Sequence, residues 1–458
     1  MILIDTPLAK READGNPIRI GLVGCGSMGK GVIRTVSRKP GMEVVAIANR
    51  TPEHAIKAYS AMGRTGAFEC TTERAFTDAV TAGKAAVVAD PELLVNSDAV
   101  DVVVEVTGRV EFGAQVALAC LDAGKDFVTM NVELDATVGY ELASRFREKG
   151  LVYTVADGDQ PGVQMNLFRE VVGLGLTPVL CGNIKGMEDP YRTPKTQQPF
   201  ADFWKQDVHM VTSFADGSKV SMEQACVANA TGMSVLERGM RGVEHCEHID
   251  SLVSGFDLEE LAAAGGAVEY VIGAEPGPGV FVFAVSDSID DREYLRLYKR
   301  GDGPVYSFYR PYHLCYFEVA NSVARAVLFR DETVACRADG PTVEVVTTAK
   351  RDLKQGEVLD AIGGFTGYGQ CEKAEVAKTD DLLPLGMAEG CQLVRNMPKD
   401  TVLCWSDVTR PTEPRAIDGL WDAQQERIGE ATPQAPIDIS GIDQSPLPEK
   451  VPEAFRTK

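Results

Sequence analysis

The sequence predicts an α/β protein whose first part is a doubly wound parallel sheet, and three observations lead to this fold class. Short apolar runs rich in branched side chains alternate with helix-patterned segments over the first 160 residues. The links between them are short, and the first link contains three glycines. Such alternation is typical of a parallel sheet that carries helices on both faces.

The elements of this first part follow one another in a regular order. Apolar runs that predict strands lie at 18–23, 43–48, 101–106, 127–130 and 151–159. Segments with helical spacing lie between them at 28–38, 52–63, 113–124 and 141–150. A Rossmann-type domain accounts for this alternation, and we assign it to residues 1–160.

The pattern changes after residue 160. Helical segments and short strands are mixed there, the helices at 161–176 and 218–233 and the strands at 280–286, 294–300 and 306–314. This mixture predicts a separate α+β domain over 161–335. A small β-rich unit follows at 336–410, and we expect the proline-rich tail at 411–458 to be mobile or loosely docked.

The charge of the chain excludes some classes of function. The 458 residues include 67 Asp and Glu against 46 Lys and Arg, which gives a formal net charge of −21. Such a surface repels phosphodiester backbones and anionic lipids, so we expect no nucleic-acid or membrane partner. The eleven cysteines are scattered, the first residues do not resemble a secretory signal, and no apolar run approaches the roughly 20 residues that span a bilayer. These features predict a cytoplasmic protein.

One motif carries most of the functional prediction. Gly24, Gly26 and Gly29 form the pattern G-x-G-x-x-G, with Ser27 and Met28 inside it, directly after a predicted strand and before a predicted helix. The first glycine allows a tight turn, the second lets the backbone approach a pyrophosphate, and the third lets helix and strand pack closely. Free N–H groups at the start of the helix attract phosphates. The motif therefore predicts a dinucleotide cofactor.

The end of the second strand predicts which nicotinamide cofactor is bound. NAD sites commonly place Asp or Glu there, to bind the ribose 2′-hydroxyl. Here the strand ends in Asn49, Arg50 and Thr51. A guanidinium attracts a 2′-phosphate, and the neighbouring amide and hydroxyl can donate hydrogen bonds to it. This pattern favours NADP(H); the alternative for Arg50 is a solvated loop charge.

Further candidates follow the next two strands, at the edge where open α/β sheets bind ligands. Thr107 and Gly108 end one strand, near the expected nicotinamide end of the cofactor, and Asn131 ends the next. We assign these three residues to cofactor binding. Glu133 is a catalytic candidate at the same edge, with a surface carboxylate as the alternative.

Two acidic residues end the last strand of this part. Asp157 and Asp159 lie two positions apart, before a predicted helix. This spacing suits acid–base catalysis or a hard cation such as Mg²⁺ or Mn²⁺, which takes one or two carboxylates together with substrate oxygens. It suits a helix cap and a turn equally well.

The middle domain contains a locally cationic segment. Residues 183–205 hold Lys185, Arg192, Lys195 and Lys205 against three acidic residues. Glycine, proline and aromatic residues predict an ordered loop here, which could cradle a phosphate. Lys185 is the candidate for proton transfer or phosphate binding, and Arg192 and Lys195 are further candidates. The alternative for each is an ordinary surface cation.

Arg310 and His313 form a second concentration of polar groups. They lie in the stretch YRPYH at the end of a predicted strand. A guanidinium could clamp a phosphate with two hydrogen bonds, and an imidazole could carry protons near neutral pH. The alternative is a strand edge with ordinary aromatic packing.

The first part of the chain resembles the cofactor domain of homoserine dehydrogenases. The stretches IGLVGCGSMGKG, VVAIANR, DVVVEVTG and FVTMNVELD carry this resemblance, which covers roughly residues 16–160. Homoserine dehydrogenases follow the asparagine of the last stretch with a catalytic lysine, whereas this chain has Val132. A valine cannot donate a proton, so homoserine oxidation by the usual residues is not implied.

The unit at 336–410 resembles a SAF domain, the small β-rich module of sialic acid synthases and flagellar-ring chaperones. The stretch AKRDLKQGEVLD carries most of this resemblance. The combination of both halves is similar to the 1-deoxy-D-xylulose 5-phosphate reductoisomerase-like family. That resemblance implies rearrangement of a ketose phosphate and its reduction by NADPH in isoprenoid precursor biosynthesis, with carboxylates that serve a divalent cation or proton transfer.

Three functions stay open at this point. The first is an NADPH-dependent reductase or reductoisomerase that acts on a small phosphorylated ketose or polyol. The second is a dehydrogenase of the homoserine type, which oxidises a hydroxy acid or an amino-acid alcohol. The third is a sensor without catalysis, in which the Rossmann half binds NADP(H) and the SAF unit meets a partner. We expect a homodimer or a higher homo-oligomer.

Overall fold

The computed structural model describes residues 3–428, 435–445 and 447. The other residues of the segment 411–458, which the sequence predicts to be a tail, lie outside this range. No helix in the described part of the chain is long and apolar enough to cross a membrane. The boundaries that we assign between domains at 160, 335 and 410 stay predictions.

A seven-stranded parallel sheet forms the first part of the molecule. Its strands are β1 (Ile18–Val23), β2 (Met42–Ala48), β3 (Phe68–Glu69), β4 (Ala86–Val88), β5 (Val102–Glu105), β6 (Asp126–Thr129) and β7 (Tyr153–Val155). The strand order is β3-β4-β2-β1-β5-β6-β7. The order reverses at β1, where the chain crosses from one side of the sheet to the other, so the predicted doubly wound fold is confirmed.

Helices cover both faces of this sheet. They are α1 (Asp5–Ala13), α2 (Ser27–Val36), α3 (Pro52–Ala61), α4 (Glu73–Thr81), α5 (Pro91–Val95), α6 (Val110–Ala123) and α7 (Val132–Glu148). Strand β5 is buried along its whole length, because it has neighbours on both edges and helices on both faces. Its first three residues, 102–104, are therefore an apolar run, as expected for a central parallel strand, and the strand ends in the buried Glu105.

The middle of the chain builds a five-stranded mixed sheet. Its elements up to residue 263 are α8 (Gln160–Gly173), β8 (Thr177–Lys185), α9 (Pro194–Trp204), α10 (Val208–Ala215), α11 (Ser218–Thr231), β9 (Val243–Glu244) and α12 (Leu258–Ala263). They are followed by β10 (Ala267–Ile272), β11 (Gly279–Val285), α13 (Ile289–Leu297), β12 (Val305–Arg310) and α14 (Val319–Phe329). The strand order is β12-β11-β8-β10-β9. Helix α14 then returns to the first sheet, where it contacts β6 and where Val323 belongs to the same apolar cluster as Val128 and Val152.

Two predictions of local structure in this part are wrong. The segment 294–300 is not a strand, since α13 covers its first half. Ser288 caps that helix by accepting a hydrogen bond from the backbone N–H of Asp291, and acidic residues fill its first turn. The expected loop at 183–205 contains helix α9, which Thr193 and Thr196 begin with a reciprocal capping arrangement.

The last unit is small and lies against both preceding parts. Its elements are β13 (Val343–Ala349), β14 (Gly367–Lys373), α15 (Ala374–Thr379), α16 (Leu385–Ala388), β15 (Gln392–Leu393), β16 (Val408–Thr409) and α17 (Ala416–Arg427). Helix α17 falls in the segment assigned to the tail, and it packs on α6 and α7. Glu111 accepts hydrogen bonds from the backbone N–H groups of Ala416 and Ile417, which holds the start of this helix.

Candidate active site

The glycine turn between β1 and α2 has the geometry that a bound diphosphate requires. Gly24 has a φ of +104°, and a Cβ at Gly29 would lie 2.2 Å from the carbonyl oxygen of Gly24. A Cβ at Gly26 would meet nothing within 4 Å, so that glycine borders open space. Helix α2 begins at Ser27 with no side chain capping it. The turn therefore fits a dinucleotide, which the N–H groups of Ser27 and Met28 would hold.

The three residues after β2 have different surroundings. Asn49 accepts a hydrogen bond from the backbone N–H of Cys25 at 3.0 Å and donates one to the carbonyl of Thr51 at 2.7 Å. Its amide thus supports the glycine turn, and one of its two N–H groups remains for the cofactor contact that the sequence predicts. Arg50 is exposed and makes no hydrogen bond or ion pair with another described residue. Arg50 and Thr51 remain candidates for a ribose phosphate.

The edge beyond β5 and β6 is held together by a buried carboxylate. Glu105 accepts hydrogen bonds from the backbone N–H of Thr107 at 2.6 Å and from the hydroxyl of Thr129 at 2.7 Å. Burial raises the pKa of Glu105. Asn131 caps α7 by accepting from the N–H of Leu134 at 3.1 Å. The predicted cofactor residues at this edge therefore also build the loops that carry them.

Gly108 lies between the two parts of the molecule. Its φ is +65°, and a Cβ there would lie 3.1 Å from the methyl carbon of Met210 on α10. The middle domain therefore approaches the first sheet at the edge where Rossmann folds bind their ligands. Any side chain at this position would crowd that approach.

The centre of the site is a buried lysine that the sequence analysis did not identify. Lys219, on α11, is 6% exposed. Its Nζ lies 3.2 Å from Oε1 of Glu133 and 3.4 Å from Oδ2 of Asp159. Burial lowers the pKa of Lys219, but the carboxylates of Glu133, Asp159 and Glu223 more than offset this effect, and the pKa is raised. Lys219 is therefore a permanent ammonium group among carboxylates.

Glu223 lies one turn further along α11 and is also buried. Its Oε2 accepts a hydrogen bond of 2.9 Å from the amide of Asn183 on β8. Burial raises the pKa of Glu223 to about 8, and the carboxylate of Asp159 adds to this effect, against the charges of Lys219 and Lys185. Glu223 can therefore hold or release a proton near neutral pH. We refer to Glu133, Asp159, Lys219 and Glu223 as the Lys219 cluster.

The structure brings together only part of the predicted catalytic set. Glu133 and Asp159 belong to the Lys219 cluster, and Lys185 is close enough for its charge to act on Glu223. The Nζ of Lys185 donates to the carbonyl of Phe214 at 3.3 Å. These residues come from α7, β8, α11 and the loop after β7, so only the folded chain assembles them.

Asp157 faces a different region from Asp159. Its Oδ1 accepts from the backbone N–H of Gly158 at 2.9 Å, and its Oδ2 accepts from the amide of Asn321 at 3.0 Å. Asp157 lines a cavity of about 650 Å³ that Arg310 also lines. Arg310 forms an ion pair with Glu318 there. The expected metal pair of Asp157 and Asp159 is therefore not formed, because the two carboxylates have separate partners.

The cationic side chains of the segment 183–205 are less closely grouped in the structure than the sequence predicts. Arg192 forms an ion pair with Asp189 at 2.9 Å, and Lys195 is exposed on the first turn of α9. His313 lies on the segment after β12, with its Nδ1 3.8 Å from the Sγ of Cys315. Of these groups, His313 lies beside the Lys219 cluster, because one of its ring nitrogens is within 4.8 Å of a carboxylate oxygen of Asp159.

Lys219 and Glu223 could have been noticed from the sequence, but only weakly. They are the two charged residues in the segment SKVSMEQACVANAT. A Lys–Glu pair four positions apart usually indicates an exposed helix surface. In α11 every residue from Ser218 to Asn229 is buried, because sheets and helices surround the helix on all sides.

Comparisons with known proteins agree with this geometry. Residues 24–156 match the family model described as the NAD-binding domain of homoserine dehydrogenase. Residues 158–319 match the family model described as the catalytic domain of the oxidoreductase DRL, and this range contains Asp159, Lys219 and Glu223. The chain thus combines a cofactor domain similar to that of homoserine dehydrogenases with a domain similar to the catalytic domain of an oxidoreductase. The resemblance to homoserine dehydrogenases in the cofactor domain is thus confirmed.

Individual relatives cover smaller parts of the chain. A homoserine dehydrogenase of Pseudomonas aeruginosa is 27% identical over 180 residues, which are 37% of this chain and 36% of that protein. The chain thus matches about a third of the length of this curated relative. An NAD-binding oxidoreductase from Klebsiella pneumoniae is 21% identical over 38% of this chain and 44% of its own, with a TM-score of 0.28. The biliverdin reductase of Synechocystis sp. PCC 6803, in complex with biliverdin and NADP+, is 18% identical over 38% of this chain and 48% of its own, with a TM-score of 0.27.

Proposed function

We propose that this protein is an NADPH-dependent oxidoreductase that acts on a small phosphorylated ketose or polyol. The most specific form of the proposal is the reductoisomerase reaction, in which 1-deoxy-D-xylulose 5-phosphate is rearranged and reduced to 2-C-methyl-D-erythritol 4-phosphate. The observation that carries the proposal is the Lys219 cluster, a buried group of one ammonium and three acidic side chains next to the cofactor domain. The SAF-like unit at 336–410 and the resemblance to the reductoisomerase-like family support this form.

The preference for NADPH rests on the end of β2. No carboxylate stands among Asn49, Arg50 and Thr51, and the guanidinium of Arg50 has no partner among the described residues. A free guanidinium suits the 2′-phosphate that distinguishes NADPH from NADH. When bound, the cofactor supplies the hydride for the reduction.

Each residue of the Lys219 cluster has its own role in the proposed reaction. Lys219 donates a hydrogen bond to Glu133 and forms an ion pair with Asp159, so a further N–H can bind a substrate oxygen. Glu223 exchanges a proton near neutral pH. Glu133 and Asp159 keep the ammonium group in place. The buried walls of α11 exclude water, which strengthens each of these interactions.

The spacing of Asp157 and Asp159 in the sequence suits Mg²⁺ or Mn²⁺, but the two side chains do not fit that ion as a pair. Both oxygens of Asp157 accept hydrogen bonds within its own loop and from Asn321. Asp159 faces Lys219 instead. No step of the proposed reaction therefore depends on this pair.

A second candidate function is dehydrogenation of the homoserine type. One observation favours it. Homoserine dehydrogenases have their lysine at the position of Val132, and Lys219 contacts Glu133, which is the next residue. An ammonium group from another helix could then serve in place of the missing one. A homodimer or higher homo-oligomer stays part of the proposal.

A substrate screen tests the proposal. The purified protein should oxidise NADPH with 1-deoxy-D-xylulose 5-phosphate when Mg²⁺, Mn²⁺ or Zn²⁺ is added. Lys219→Gln should lower this turnover by about 100-fold while NADPH still binds. Turnover with homoserine and NADP+ instead would favour the second candidate. Tight NADPH binding without turnover of any sugar phosphate or hydroxy acid would contradict both and favour a sensor.

The cofactor preference has a test of its own. Arg50→Ala should raise the Kd for NADPH by about tenfold or more and leave that for NADH unchanged, because only NADPH carries the phosphate. Arg38→Ala, at an exposed position after α2, is the matched control. Equal effects of Arg50→Ala on both cofactors would contradict the assignment.

A further inference from the structure

Three side chains with metal-binding atoms converge next to the Lys219 cluster. Asp159 follows β7, and His313 and Cys315 lie on the segment between β12 and α14. One ligand atom from each lies within 4.8 Å of the other two. The imidazole Nδ1 of His313 and the Sγ of Cys315 are 3.8 Å apart. A carboxylate, an imidazole and a thiol thus face one point.

The backbone fixes this convergence. The N–H of Cys315 donates to the carbonyl of Gly158 at 2.7 Å, so the loop that carries His313 is bonded to the loop that carries Asp159. A Cβ at Gly158 would lie 2.0 Å from the carbonyl oxygen of Cys315, so only glycine permits this contact. Cys315 itself has a φ of +43°, a left-handed conformation that non-glycine residues rarely adopt. Such backbone conformations persist where the surroundings hold them, and they concentrate at functional sites.

The neighbouring charges point to a missing cation. Glu133 and Asp159 are 3% and 8% exposed, and Lys219 is the single cation that forms ion pairs with either of them among the described residues. Oε2 of Glu133 has no hydrogen-bond partner in that part of the chain. Buried carboxylates without partners are costly, because water cannot solvate them. A divalent ion bound beside Asp159 would supply the missing positive charge.

We propose that Asp159, His313 and Cys315 bind a divalent transition-metal ion, Zn²⁺ in the first place, with one coordination position left open. Thiolate and imidazole ligands select Zn²⁺ over Mg²⁺, which prefers oxygen ligands. Three protein ligands and one open position are the arrangement of catalytic zinc sites. The ion binds whether or not substrate is present. The role that we give to the ion rests on the proposed function: it would polarise a substrate oxygen next to Lys219.

Metal content and cobalt spectroscopy test the site without any substrate. The full-length protein, stripped with a chelator and dialysed against Zn²⁺, should retain about one ion per chain. Loaded with Co²⁺, it should show a thiolate-to-cobalt charge-transfer band. Cys315→Ser should abolish this band, and His313→Asn should weaken Co²⁺ affinity by about 10- to 100-fold. NADPH binding, measured in parallel, should stay unchanged in both variants and shows that they are folded.

The exposed Cys246 provides the matched control, since it lies near His245 and His248 in another part of the chain. Cys246→Ser should keep both the retained ion and the band. The proposal is overturned if the wild-type protein retains no ion, if Cys315→Ser keeps the band, or if Cys246→Ser loses it. Retention of the ion without turnover of any sugar phosphate would support the metal site and contradict only the proposed function.

Discussion

At the scale of single residues, the site depends on one buried ammonium group. Lys219 lies between Glu133 and Asp159, and the helix that carries it has no exposed residue from Ser218 to Asn229. A buried charge is tolerated only when its partners are close. The three carboxylates around Lys219 therefore depend on it as much as it depends on them.

Removal of this charge should destabilise the whole protein. Lys219→Met leaves buried carboxylates without their cation, and we expect the free energy of unfolding to fall by about 3–5 kcal/mol at pH 8. Lys354→Met, at an exposed position, should change it by less than about 0.5 kcal/mol. Denaturant unfolding of both variants measures the difference. Equal stabilities would show that Lys219 is not buried as an ion.

Residues whose role is set by their immediate neighbours in the chain could be predicted from the sequence. The glycine turn is one such case, because a strand, three spaced glycines and a helix are sufficient to define it. The Lys219 cluster is the opposite case. The sequence predicts Glu133 at the edge of the first sheet, but its partner on α11 lies 86 positions later. Only the packing of α11 against α7 brings the two side chains together.

At the scale of elements, capping and burial decide where the sequence prediction succeeds. Parallel strands such as β5 are predicted well, since burial on both faces requires apolar side chains such as the three valines at 102–104. Helix α13 is missed, because its aromatic and branched residues also suit a strand and its cap at Ser288 lies outside the segment considered. An apolar pattern of this kind therefore distinguishes a helix from a strand only when the capping residues on either side of it are considered too.

The strand β13 contains a carboxyl group whose ionisation opposes folding. Burial raises the pKa of Glu344 to about 7, although the charge of Lys378 acts in the opposite direction. Between about pH 4.5 and 7 the unfolded chain loses this proton and the folded chain keeps it, so stability falls as the pH rises. Relative to the wild type, Glu344→Gln should therefore gain about 2–3 kcal/mol between pH 4.5 and pH 8.

Thermal unfolding at several pH values measures this effect. The exposed Glu375 on α15 offers a control, since Glu375→Gln should follow the wild-type profile. A Glu344→Gln profile parallel to that of the wild type would show that Glu344 ionises normally in the folded protein.

At the scale of the whole molecule, the last unit holds the other two together. Lys350 on the segment after β13 donates to Asp216 and to the carbonyl of Arg192, both in the middle domain, at 2.8 Å each. Helix α17 contacts the first domain, where Arg427 pairs with Glu141 at 2.6 Å. The sequence predicts the unit itself but not these attachments, because each joins residues far apart in the chain.

Helix α17 should contribute measurably to stability. Trp421 is 5% exposed and belongs to the apolar cluster of the first sheet. Trp421→Ala should lower the free energy of unfolding by about 3–5 kcal/mol, because it leaves a cavity. Glu426→Ala, on the exposed side of the same helix, is the control. A wild-type melting temperature for Trp421→Ala would mean that the helix does not dock in solution.

The central claim is that the turn at 24–29 holds the cofactor that serves the Lys219 cluster. Calorimetric titration of NADPH into the wild type and into Gly26→Ala tests it most directly. The added methyl group enters open space next to a backbone with φ of −75°, so folding should be unaffected and the melting temperature should stay within about 2 °C. The Kd for NADPH should rise by about tenfold or more, since the methyl group occupies the place of the diphosphate. Equal affinities of the two proteins, or no binding by the wild type, would contradict the claim.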